Sequence, residues 1–77
     1  MKEIIGVRVN VYTSKKTGEL VKGYNLYLSW IDSNVEGMAC EAIFIREERL
    51  DGYVPTLGDK VKVGYDRWQN ADFLVKL

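Results

Sequence analysis

The chain has 77 residues, 47% of them hydrophobic and 29% charged, with eleven basic residues balancing eleven acidic ones, a single cysteine and no histidine. That length allows one domain, residues 1–77, able to bury about 60% of its unfolded surface, and the composition is that of a globular chain rather than a disordered or fibrous one. Without histidine there is no Ser/His or Cys/His nucleophile pair and the commonest metal ligand is gone, while Cys40 alone offers neither a disulfide nor a zinc site; no enzyme, metal or cofactor is expected.

Glu3 to Thr13, "EIIGVRVNVYT", alternates with period two. It reads as a strand with Ile5, Val7, Val9 and Val11 on the inner face and Gly6, Arg8, Asn10 and Tyr12 on the other. "SKKTGE" is a polar turn in which Gly18 can take positive φ, and "LVKGYNLYLSWID" is the return strand of a hairpin. After the turn "SNVEG", residues 38–46 form a third strand with two fairly apolar faces, which predicts a central position and a buried Cys40.

From Arg46 to Asp59 no period is sustained, and "REERL" has room for one helical turn. "KVKVGY" is a fourth strand with Val61, Val63 and Tyr65 inward, "DRWQNA" a hairpin tip, and "DFLVKL" a fifth strand with Phe73, Val75 and Leu77 on its inner side. On this parity Phe44 also points inward, and Ile43, Ile45 and Leu74 point away from the core. Five short strands with a helix-sized connection between the third and fourth predict an all-β, OB-type Greek-key small barrel. An SH3-like barrel is the alternative.

Glu3 and Arg8 interrupt the first apolar stretch, which is therefore no signal-peptide core. Nothing approaches the ~20 apolar residues of a membrane span. With one cysteine as well, a cytoplasmic protein without membrane attachment is expected.

The balanced charge conceals an asymmetry. Up to Tyr24, five bases (Lys2, Arg8, Lys15, Lys16, Lys22) face two acids; residues 25–56 hold six acids and two arginines; the remainder has four bases and three acids. The first hairpin is thus a basic stripe on a neutral protein. Phosphate neutralisation is local, so such a stripe can serve a nucleic acid at zero net charge, although a solvated surface of mixed sign is the plainer reading. Of nine aromatic residues, Tyr12, Tyr24, Tyr27, Tyr53 and Trp68 have no evident place in so small a core. Trp68 lies at a hairpin tip beside Arg67, the kind of setting in which aromatic rings stack on the bases of a single strand.

"KGYNL", "WID", "GYVPTL" and "YDRWQNADF" occur in this order between about Lys16 and Phe73. In them the chain resembles the small single-stranded-DNA-binding, helix-destabilising proteins of filamentous phages, of the gene V type. The resemblance implies a five-stranded OB-type barrel, a twofold homodimer and binding of single strands with little regard to sequence. It points to Tyr24 and Leu26 on a nucleotide-contacting face, Lys15 or Lys16 at phosphates, and Trp68 on a projecting wing. This chain is shorter, lacks about two residues between "YNL" and "WID", and has an acidic middle.

The expected partner is therefore single-stranded nucleic acid, DNA before RNA, bound by Arg8, Tyr12, Lys15, Lys16, Lys22, Tyr24, Leu26, Tyr27, Arg67 and Trp68. Strand parity separates Tyr24 from Tyr27, so both reach one surface only if a bulge interrupts the second strand. The competing expectation is a protein-interaction module of phage or mobile-element type that uses the same aromatics as an interface.

Overall fold

The period-two segments form strands in a computed structural model that describes residues 1–77. β1 spans Lys2–Thr13, β2 Leu20–Trp30, β3 Ala39–Arg46, β4 Lys60–Tyr65 and β5 Ala71–Lys76, with one 3₁₀ turn, Glu47–Leu50, after β3. The protein is all-β. Its five antiparallel strands make one sheet in the order β3-β2-β1-β4-β5. No helix is long and apolar enough to cross a membrane.

β1 carries the sheet around the core. Its Lys2 and Glu3 pair with β4, and residues 3–13 pair with β2. Between Ile4 and Gly6 the register with β2 slips by one residue, a bulge at Ile5. There the Ile4 backbone is clasped from its other side: its N–H donates to the Asp59 carbonyl (3.0 Å) and its carbonyl accepts from Gly58 N–H (2.8 Å). Gly58 has φ +88°, a conformation that favours glycine.

The bulge corrects the parity expected for β1. Ile4 is fully buried opposite Leu28, Ile5 is exposed, and Val7 reaches the core from its place opposite Leu26. Val9 and Val11 keep to the core side of the sheet, but they lie where the hairpin has run past the core and are 58% and 55% exposed. β1 is long enough to account for the 44 Å long axis of the molecule.

The core joins Ile4, Tyr24, Leu26, Leu28, Ile45, Leu50, Val61 and Leu74. Expected parity is reversed in two strands. Ile43 and Ile45 of β3 face inward because they pair with Leu26 and Tyr24, and Leu74 of β5 faces inward opposite Val63, which turns Phe44, Phe73 and Val75 outward. β3 is an edge strand, not a central one, and it approaches β5 without a backbone ladder. Cys40 sits on that edge strand and is exposed rather than buried.

One end of the core is closed by polar groups. Lys2 Nζ lies over the Trp30 ring, 4.4 Å from its centroid, donates to the Tyr65 hydroxyl (2.9 Å) and pairs with Glu41, which also accepts from Tyr65. Burial opposes charge on Glu41, but the hydrogen bonds of Lys2 and Tyr65 and the lysine charge outweigh it and hold the carboxyl below its ordinary value. Burial likewise works against the Lys2 ammonium and is outweighed by the same partners, so its pKa is raised. Strands β1, β2, β3 and β4 meet in this one cluster.

The segment between β3 and β4 is held by Tyr53, whose hydroxyl donates to Asp59 Oδ2 at 2.6 Å. Burial, with the hydrogen bond to Asp59 second, pushes the Tyr53 phenol up to about 12. A raised phenol pKa stabilises the fold below the ordinary value of 10.0, and the contribution disappears as pH rises from there through about 12. An ultraviolet-difference titration should show a last phenolate appearing near pH 12, together with falling resistance to urea. Tyr53→Phe should remove that last step; its persistence in the variant would assign it to another tyrosine.

Candidate nucleic-acid interface

The register of β1, β2 and β3 decides which side chains share the surface opposite the core. Residues paired across an antiparallel ladder project to the same face. On the outer face this collects Arg8, Asn10 and Tyr12 from β1, Asn25 and Tyr27 from β2, and Ala42, Phe44 and Arg46 from β3. Arg8 and Arg46 are the charged members of that group; the same face also carries Glu3, opposite Ser29 and paired with Lys60 of β4. Asn10 Nδ2 donates to Asn25 Oδ1 at 3.2 Å across the ladder.

Three glycines set the attitude of the outward rings. Gly6 is paired with Tyr27, and a Cβ there would come 3.0 Å from the tyrosine ring. A Cβ on Gly23 would lie 2.5 Å from the Phe44 ring and 2.6 Å from the Ile45 carbonyl, and one on Gly64 would lie 1.9 Å from the Phe73 ring. Each ring occupies the space its glycine leaves empty. Tyr27 and Phe73 remain 41% and 46% exposed. Tyr12 extends the row, its ring centroid 6.0 Å from that of Phe44 and inclined by 55°.

The two hairpin turns lie at the margins. Lys15 and Lys16 are exposed in the β1–β2 turn. In the β4–β5 turn Asp66 Oδ1 accepts from the Trp68 and Asn70 N–H groups, both at 2.9 Å, and Gln69 takes φ +65°. This brace projects Trp68, 67% exposed, with the Arg67 guanidinium 4.3 Å from its ring centroid. Between this turn and β3 runs an open groove of about 760 Å³, walled by Tyr12 and Phe44 on one side and Asn70 and Asp72 on the other, with Arg46 and Arg49 also lining it.

Ion pairing sorts the eleven bases. Lys2, Lys22, Arg46, Arg49, Lys60 and Lys76 each pair with a carboxylate. The other five, Arg8, Lys15, Lys16, Lys62 and Arg67, pair with none, and all are exposed. Arg8 and Lys62 lie on the outer face, Lys62 beside the Phe73 row; Lys15, Lys16 and Arg67 occupy the two turns. The unpaired acids are confined to turns and to the end of the 3₁₀ segment.

Of the residues expected in the site, Arg8, Tyr12 and Tyr27 share the outer face, and Lys15, Lys16, Arg67 and Trp68 lie in the adjoining turns. Three do not belong. Leu26 is 0% and Tyr24 8% exposed, both in the core, with the Tyr24 hydroxyl 3.4 Å from Glu47. Lys22 points to the core side opposite Val11 and pairs with Glu47 at 2.9 Å. The anticipated bulge lies in β1, so β2 keeps its parity throughout. Missed were Phe44, Phe73, Arg46 and Lys62, whose signal is the glycine or charge pattern of a neighbouring strand, readable once the register is known. No cluster of three or more His, Cys, Asp or Glu is placed to hold a metal.

Compared with protein families, with curated proteins and with solved structures, the chain matches none.

The glycines give a direct test of the ring arrangement. Gly23→Ala should cost about 1–3 kcal/mol in urea denaturation, because the added methyl meets the fixed Ile45 carbonyl as well as the ring. Gly64→Ala should cost less, since only the exposed Phe73 ring must swing aside. Equal stability of the Gly23 variant and the parent would show that Phe44 does not lie across that glycine.

Proposed function

We propose that this protein binds single-stranded nucleic acid, DNA in the first instance and largely without regard to sequence, on the outer face of β1–β2–β3 and the two hairpin turns beside it. The observation that carries the reading is the coincidence of the five unpaired bases with the outward aromatic rings. A strand needs cations along its phosphates and π-faces for its bases, and sequence-tolerant binders supply both in one groove. Rings seated on glycine present their free face at little entropic cost. A net charge of zero is compatible with this, because the carboxylates that balance the sum are spent on other bases or lie in turns.

Two further considerations support it. We read the strand order, with a short helical turn between β3 and β4, as an OB-type sheet left open between β3 and β5. In such folds the β2–β3 face with the β1–β2 and β4–β5 loops is the usual oligonucleotide surface. The motif order shared with filamentous-phage single-strand binders points to the same activity. The residues assigned to binding are Arg8, Tyr12, Lys15, Lys16, Tyr27, Phe44, Arg67 and Trp68, with Lys62 where the outer face continues onto β4.

The apolar strip of Val9, Val11 and Leu20 on the core side of the projecting hairpin favours a protein contact as well. We assign it to a second copy of the chain: exposed apolar side chains continuous with a core this small need cover. A twofold pairing would leave the outer faces free. Sedimentation at micromolar concentration should give twice the 8.8 kDa chain mass, and Val11→Glu should return it to the monomer. A parent that sediments as a monomer would remove the dimer without touching the outer face.

Binding is tested by titrating the protein with oligothymidylate over a salt series. Trp fluorescence should be quenched, affinity should fall steeply with salt, and Arg8→Ala should reduce the slope by about one unit. Trp68→Ala should leave the denaturation midpoint nearly unchanged while weakening binding by about 1–3 kcal/mol. No binding at low salt would leave the aromatic face as a protein interface.

A further inference from the structure

We propose that the groove between β3 and the β4–β5 turn is a guanine-reading position within this surface, an inference that rests on the single-strand reading above. One wall of the groove is aromatic, Phe44 and Tyr12, against which a base can lie. The other presents the Arg49–Asp72 pair, with Arg49 Nη1 donating to Asp72 Oδ1 at 3.0 Å. Asp72 Oδ2 receives no hydrogen bond from the protein. The pair thus offers two acceptors, Asp72 Oδ1 and Oδ2, beside a donor, Arg49 Nη1.

Among the four DNA bases guanine alone can meet all three groups at once. The Watson–Crick edge of guanine runs N2–H₂, N1–H, O6, which is donor, donor, acceptor. Adenine and cytosine, each with one donor beside an acceptor, can meet only one carboxylate oxygen and Nη1, and thymine meets two of the three groups with a carbonyl set against a carboxylate oxygen. The carboxylate also disfavours a phosphate at this point, which makes the pair a base-reading element rather than a backbone clamp. Both partners are more than two-fifths exposed and therefore reachable. An exposed pair is held by little free energy and can adjust to a base without loss of the fold.

The test uses the intact protein and oligothymidylates carrying one central dG, dA, dC or deoxyinosine. A single dG should tighten binding about tenfold over dA or dC, the discrimination of one bidentate contact. Deoxyinosine, which lacks the N2 amino group, should lose most of that gain. Asp72→Asn should bring dG level with dA and dC while oligothymidylate is still bound. Equal affinity for all four, or deoxyinosine as tight as dG, overturns the guanine position and leaves the single-strand reading intact. Failure to bind any of them, oligothymidylate included, removes both. The dG-to-deoxyinosine ratio of the parent protein decides the matter even if the Asp72 variant does not fold.

Discussion

The one-residue slip of β1 at Ile5 is the constraint on which the rest of this sheet depends. A strand of uniform parity could place either Ile4 or Val7 toward the core, not both. With the bulge, Ile4 packs opposite Leu28 and Val7 opposite Leu26, so one strand serves both ends of a core made of eight side chains. The bulge also explains how β1 pairs with β2 and with the β4 side. The backbone groups of Ile4 turn to Gly58 and Asp59 where the strand bends, so both find partners there. Tyr53 then ties its own segment to Asp59, which links the clasp to the 3₁₀ turn.

Once β1 is phased in this way, the outer face follows from the ladders. Tyr27 falls over Gly6 and Phe44 over Gly23, and in the second hairpin Phe73 falls over Gly64. A glycine within a strand is ordinarily a weakness, since it packs nothing and loses more entropy on folding. An aromatic ring laid across it recovers part of that loss by covering bare backbone. The same arrangement leaves part of the ring on the surface, Tyr27 41% and Phe73 46% exposed. The device that repairs the strand therefore also places aromatic surface on the outer face.

Much of this architecture was legible in the sequence and some was not, for identifiable reasons. The five strands, the short helical turn and both hairpin tips stand where alternation and turn residues place them, because those signals act within a few residues. Facing was less legible. In β1 the inner set Ile5, Val7, Val9, Val11 assumed unbroken alternation, and nothing local announces the bulge. In β3 and β5 both parities are apolar, Phe44 against Ile45 and Phe73 against Leu74, so alternation cannot choose between them; pairing with β2 and β4 does. Tyr24 shows the converse. Its place in "KGYNL" suggests a surface role by resemblance, yet opposite Ile45 it becomes the one aromatic side chain buried in the core. Arg8 and Tyr12 lie on the face that alternation gives them because the bulge at Ile5 precedes them, and the turn residues lie where local signals put them, whereas Tyr27 is phased against Tyr24 only by the ladder with β1.

The cost of this design bears on its purpose. A domain of 77 residues has a small margin of stability, and aromatic side chains are the largest apolar contribution a core can receive. Yet Phe44, Phe73, Tyr12, Tyr27 and Trp68 stand outside it, and the five cations that could have been paired for a little extra stability are left open beside them. Exposed rings alone would suit a protein interface, and exposed cations alone a solvated surface. Their occurrence together, on a sheet face whose carboxylate, Glu3, is neutralised by Lys60, and at the two turns that border it, suits a partner that is both polyanionic and aromatic. Departures from the most stable arrangement collect at functional sites, and here they collect on the surface that a single strand would cover.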